Sequence, residues 1–97
     1  MARHHLKTWP VPFLALWRGD KLFEVRKNDR NYAVGDQLVM QEWYPESAVW
    51  GERIVSADVS YVLDGEFGLK PGHVCMSLSN VRRVYYEGDE NESSNAA

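Results

Sequence analysis

From residue 21 onward, apolar residues recur at every second position, in short stretches separated by turn residues. This most constrains what the chain can fold into. A period of two places successive side chains on opposite faces, which is the geometry of a half-buried strand and not of a helix. In residues 21–27 (KLFEVRK), Phe23 and Val25 share one face while Glu24 and Arg26 share the other. Residues 37–43 set Leu38, Met40 and Glu42 against Val39, Gln41 and Trp43. Residues 53–63 set Val55, Ala57, Val59, Tyr61 and Leu63 against Ser56, Asp58 and Ser60. Val74, Met76 and Leu78 mark another strand, and residues 81–86 a last one. Asn28–Asn31, Val34-Gly35-Asp36, Tyr44-Pro45-Glu46-Ser47 and the glycine-rich residues 64–72 carry turn chemistry between them.

The N-terminal part reads differently. Residues 4–9 (HHLKTW) form a short strand. In residues 10–18, Phe13, Leu16 and Trp17 fall at helical spacing, with Pro10 and Pro12 at the start and Gly19 just past the end. The expectation is therefore an α+β, mainly β, domain of about six mostly antiparallel strands and one main short helix. So many short strands in 97 residues cannot leave many open edges, so a closed or nearly closed small barrel is expected. The four Trp, five Tyr and three Phe are expected to supply much of its core.

Charge divides the chain in two. The net charge is −3, but four of the 14 acidic residues lie in residues 87–97 (EGDENESSNAA), which leaves ten against 11 Lys and Arg elsewhere. Residues 1–86 read as the single domain. Residues 87–97 read as a solvated acidic tail, because nothing in it repays the entropy of ordering. The longest apolar run, residues 13–17, is far short of the roughly 20 needed to span a bilayer. With no secretory pattern and only Cys75, a cytoplasmic location is expected, without disulfides, membrane association, metal or cofactor. His4, His5 and His73 show no metal-ligand spacing, and no His or Asn signature surrounds Cys75.

Residues 18–30 hold five basic residues against three acidic ones. Lys21 sits in the turn after the helix, with Glu24 and Arg26 on one strand face. A lysine and an arginine around a carboxylate suit holding a phosphate or carbonyl oxygen; an ordinary exposed ion pair is the bland alternative. His5 and Lys7 share a face of the first strand, suited either to phosphate contact or to solvent. Asp29 belongs to a turn, or anchors Arg26 or Arg30. Trp43, Tyr44 and Trp50 either pack or stack bases on a cleft rim.

One ordered set of motifs goes further. It comprises HxLK at residues 4–7, GxK at 19–21, FExRKNDR at 23–30, VGD at 34–36, the pair Glu42-Trp43, and KPGHVCMSL at 70–78. Together these resemble ASCH domains of the PUA-like superfamily, in a small phage- and bacteria-associated subset. The resemblance covers about residues 5–79. It implies a pseudo-barrel with a cleft between the barrel, the first helix and the loop that follows. It also implies binding of RNA or a modified nucleotide, with His5, Lys7, Lys21, Glu24, Arg26, Asp29 and Trp43 as candidate contacts. Some relatives hydrolyse N4-acetylcytidine using a lysine, a hydroxyl and a carboxylate, and others are linked to ribonuclease activity. An enzyme acting on RNA or an acylated cytidine, with Lys21 and Glu24 as its catalytic pair, is therefore the alternative. Lys21 matches the family lysine, but Glu24 stands where those enzymes carry threonine, and Thr8 and Ser56 are hydroxyls at other positions. A small phage protein-interaction factor is the third reading.

Overall fold

The computed structural model describes residues 1–85; the tail proposed at residues 87–97 lies outside them. Its elements are β1 (Arg3–Thr8), α1 (Pro10–Arg18), β2 (Phe23–Lys27), β3 (Gln37–Tyr44), β4 (Val49–Asp64), a 3-10 turn (Gly65–Phe67) and β5 (His73–Tyr85). All five strands form one sheet in the order β1-β3-β4-β5-β2, which curls into a half-barrel. The helix-containing excursion from β1 lets it pair parallel with β3, while the other three pairings are antiparallel. Among the described residues no helix is long and apolar enough to cross a membrane.

Helix α1 occupies the residues its signals mark. Gly19 ends it at φ 84°, a left-handed turn that a side chain would strain, and the Asp20 amide donates to the Ala15 carbonyl at 2.9 Å. Phe13 and Leu16 are its buried residues, and they join Leu6, Leu38, Met40, Val55, Ala57 and Met76 in the core.

Three expectations need correction. The strands number five, because residues 74–78 and 81–85 are parts of one strand, β5. It is bent where Asn80 takes φ 50° and its side-chain Nδ2 donates to Asp58 Oδ2 at 2.8 Å. A single left-handed residue is within reach of Asn, and it inserts a bulge without ending the strand. A second shift against β5 lies between Val59 and Tyr61. Beyond it the alternation reverses: Tyr61 is exposed, and Val62 packs against the core in its place. Finally, the core is aliphatic. Phe13 and Tyr32 are its only buried Phe, Trp or Tyr among the described residues, while Trp9, Trp50, Phe23, Tyr61 and Tyr85 are exposed. The inside of so small a barrel is filled by Leu, Met and Val, and the larger rings go to its rims and outer face.

β4 begins earlier than its alternation suggests because Gly51 interrupts the pattern. A Cβ at Gly51 would stand 2.7 Å from Glu42 Oε1 and 2.9 Å from Glu42 Cβ, so glycine lets the buried Glu42 lie across the neighbouring strand. Glu42 there accepts from Arg53 at 2.8 and 3.2 Å, and Arg53 lies 5.1 Å from the Trp17 ring centroid and 5.5 Å from that of Phe13. This arginine ties α1 to the sheet through charge and stacking together.

The turn at Val34-Gly35-Asp36 does more than reverse the chain. Asp36 is buried and accepts from the Ala2 amide, the Ala33 amide and His4 Nε2, at 3.0, 3.0 and 2.9 Å. His4, for which the sequence offers no partner, is buried against it and against the edge of Tyr32. The bond from Ala2, then that from His4, holds the Asp36 carboxyl below its ordinary value of 3.8. A depressed folded-state value means stability present above 3.8 that is lost as pH falls toward the lower, folded value. Asp36→Asn is therefore expected to destabilise the protein at neutral pH. The gap from wild type in chemical-denaturation midpoints should narrow as the pH is taken down through 3.8. A gap that does not change with pH would contradict this.

Candidate functional site

β1 and β2 are the two edges of the sheet, and the curl brings them face to face. No backbone ladder joins them. Arg26 on β2 instead donates from Nη2 to the Lys7 carbonyl at 3.0 Å and to Thr8 Oγ1 at 3.2 Å. Arg30, just beyond β2, donates to the His5 carbonyl at 3.1 Å. Two arginines thus meet alternate carbonyls of the open edge and close the seam with side chains. An unprotected edge would otherwise be a template for pairing with another chain.

Behind the seam lies Glu24, at 4 % exposure. Its Oε1 accepts from Lys21 Nζ at 2.6 Å and its Oε2 from Arg26 Nε at 2.8 Å. The local sequence explains the arrangement. The Gly19 reversal delivers Lys21 beside the start of β2, with its amide bonded to the Ala15 carbonyl at 3.1 Å. The two-residue period of the strand then puts Glu24 and Arg26 on one face. A lone buried carboxylate would be costly, and two charge-assisted bonds offset that cost.

These residues form one side of a cleft of about 510 Å³. Lys21, Arg26 and Lys27 line it against the single carboxylate of Glu24, and Lys7 lines its edge with its ammonium over the Trp43 ring. Trp9 and Phe23 give it aromatic walls and are 59 % and 45 % exposed. His73 also lines it. The site is therefore cationic with flat apolar surfaces, although the formal charge of the whole chain is negative.

The other candidates fall on the outer face, across β1 from the cleft. The His5 ring stacks on Trp50 at 4.7 Å and 13°, and Trp50 meets Trp43 edge-on at 5.1 Å. Lys7 Nζ stands 4.2 Å from the Trp43 ring centroid, so Lys7 belongs to both groups. Asp29 is in neither. Its amide donates to the Lys27 carbonyl at 2.9 Å, and it makes no ion pair among the described residues, so Glu24 is the anchor of Arg26. Asn28 also serves the turn, with Oδ1 accepting from the Tyr32 amide at 3.0 Å. No cluster of three His, Cys, Asp or Glu able to hold a metal ion occurs among the described residues.

Sequence reasoning did not place Thr8, Trp9 and Phe23 at the site. Thr8 alternates with His4 and Leu6 on the inner face of β1, which could have marked its hydroxyl as buried. Trp9 and Phe23 flank the helix and the turn, and only the fold brings them together.

The chain belongs to the family described as domain of unknown function DUF3850, whose model matches residues 3–78. That span includes every residue of the cleft. The chain is also similar to an uncharacterised 12.9 kDa protein encoded in the GpA 3′ region of Escherichia phage P2. The two are 38 % identical over 61 residues, or 63 % of this chain and 54 % of the phage protein. The chain thus spans about half the length of that relative.

The seam makes a direct prediction. Arg26→Lys keeps the charge but loses the planar fork that reaches Glu24 and β1 at once. It should cost about 1–3 kcal/mol, lower the Tm by roughly 4–8 °C per kcal/mol, and speed amide exchange in β1. Unchanged melting and exchange would mean that the seam does not depend on this side chain.

Proposed function

We propose that this domain is an ASCH-like, PUA-like module that binds RNA or a nucleotide in the cleft between β1, α1 and β2. The observation that carries the reading is the composition of that cleft: three cations, Lys21, Arg26 and Lys27, with one buried carboxylate, beside two exposed aromatic rings. Glu24 is already paired with Lys21 and Arg26, so it fixes their positions while leaving an excess of positive charge for a phosphate. Trp9 and Phe23 supply faces on which a base stacks, at about 1–3 kcal/mol per base. Unpaired RNA is the macromolecular form that exposes base faces in this way. The volume, about 510 Å³, suits one or a few nucleotides and not a duplex.

An enzyme acting on an acylated cytidine fits the geometry less well. Glu24 is 4 % exposed and each of its oxygens is bonded to a cation, which leaves an attacking water little access to it. Thr8 brings a hydroxyl to within 3.2 Å of Arg26, but it is only 2 % exposed and donates to the Leu6 carbonyl at 3.4 Å. Nucleophilic attack needs an accessible and activated group. Turnover of N4-acetylcytidine that disappears in both Lys21→Ala and Glu24→Ala would reverse this preference.

The binding reading is tested by titrating a short single-stranded RNA at several salt concentrations. Affinity should fall with salt, and Lys21→Ala should weaken it about tenfold, the worth of one charge-assisted hydrogen bond. The same substitution should make the logarithmic salt slope shallower by about 0.7, one phosphate contact on a single strand. Equal affinity and slope in the variant would refute the assignment.

A further inference from the structure

We propose a second, base-stacking subsite on the outer face of the sheet, so that the ligand is a single-stranded oligonucleotide that crosses β1. This rests on the reading of the cleft above and extends it from a nucleotide to a strand.

β1 is the shared boundary. Its outward positions are Arg3, His5 and Lys7, all exposed, while His4, Leu6 and Thr8 face inward. Side chains two residues apart on one strand face are about 6.6 Å apart, so these three form an evenly spaced row. Lys7 opens on the cleft and also stands over the Trp43 ring. Beyond it, a depression of about 620 Å³ is lined by Arg3, His5, Val39, Gln41, Trp50 and Ile54, with Glu52 also on its lining.

The interior of this depression is built to receive a flat apolar group. His5 is held parallel to Trp50, with its Nε2 2.8 Å from Gln41 Oε1, while Gln41 Nε2 donates to the Gly51 carbonyl at 2.8 Å. Gln41 is 3 % exposed and has both ends of its amide satisfied. The buried amide at the floor is thus already bonded at both ends, and binding there is by stacking and shape. Trp50 nevertheless keeps 40 % of its surface exposed.

Charge decides the occupant. Neither Arg3 nor Lys7 has a carboxylate within ion-pair distance among the described residues. Two unpaired cations, Arg3 and Lys7, on one face of a strand between two aromatic-walled hollows are complementary to a backbone of phosphates carrying bases on either side. Glu52 is the one acidic side chain in the outer hollow, which is too little for a basic peptide.

The test measures calorimetric affinity for 5′-phosphorylated oligouridylates of one, two and four nucleotides. In the wild type, the four-nucleotide ligand should bind at least about tenfold tighter than the single nucleotide. Trp50→Leu and the exposed-site variant Arg3→Glu should each remove that gain while leaving single-nucleotide affinity unchanged. Arg3→Glu keeps the test decisive if Trp50→Leu fails to fold. Equal affinity at all lengths, or a length gain that survives Arg3→Glu, would overturn the second subsite and leave the cleft reading standing. No binding at any length would overturn both. Concentration-dependent self-association that Arg3→Glu abolishes would assign this face to a second copy of the chain and overturn the proposal.

Discussion

A carboxylate at 4 % exposure holds two cations, and much of the molecule is arranged around it. Glu24 pairs with Lys21 at 2.6 Å and with Arg26 at 2.8 Å, and Arg26 then reaches across to the Lys7 carbonyl and Thr8. Without the carboxylate, the arginine has no fixed direction; without the arginine, the carboxylate is a poorly compensated buried charge and β1 is an open edge. One interaction thus couples the turn after α1 to β2, and β2 to the far end of the sheet. The curl that aliphatic packing produces is completed by side chains where backbone pairing stops.

The same arrangement explains how a chain with net charge −3 presents a cationic cleft. Local convergence of Lys21, Arg26 and Lys27 outweighs one carboxylate whose charge is already shared. One strand away, where Glu42 lies in register with Thr8, Glu42 and Arg53 repeat the device with the roles of the elements changed: the arginine there stacks on Phe13 and Trp17 and binds helix to sheet. Glu24 and Glu42, the buried carboxylates within strands, are each matched to an arginine that performs a second structural task, whereas Asp36 in its turn is held by backbone amides and His4.

What could be read from the sequence follows from how far each feature reaches along the chain. The helix, its Gly19 stop and strands β1, β2 and β3 are local and appear close to where the pattern puts them, whereas β4 starts earlier and β5 joins two expected strands. Lys21, Glu24 and Arg26 lie within six residues, so their shared face was visible from period two alone. The tie from Arg26 to Lys7 and Thr8 spans 18 or 19 residues, and no periodicity reports it. The bulges at Ser60 and Asn80 were hidden because one inserted residue reverses the alternation without a Gly or Pro to mark it. Asp36 looked like turn chemistry, and it is; its burial under Ala2 and His4 is set by the parallel pairing of β1 with β3, which only the assembled sheet creates. The aromatic residues were assigned to the core by size, whereas the narrow interior excludes most of them.

The chain belongs to DUF3850 and is similar to an uncharacterised phage P2 protein; in the function proposed above, its cleft is the nucleotide-recognition site. The central claim is that the closed seam creates this recognition site. Backbone amide chemical shifts, followed while a 5′-mononucleotide is added, test it most directly. The account predicts that the largest changes fall on residues 7–9 and 21–27, on both sides of the seam, and that they vanish in Glu24→Gln while the rest of the spectrum remains that of the folded protein. Shifts concentrated elsewhere on the sheet, or undiminished in Glu24→Gln, would contradict it.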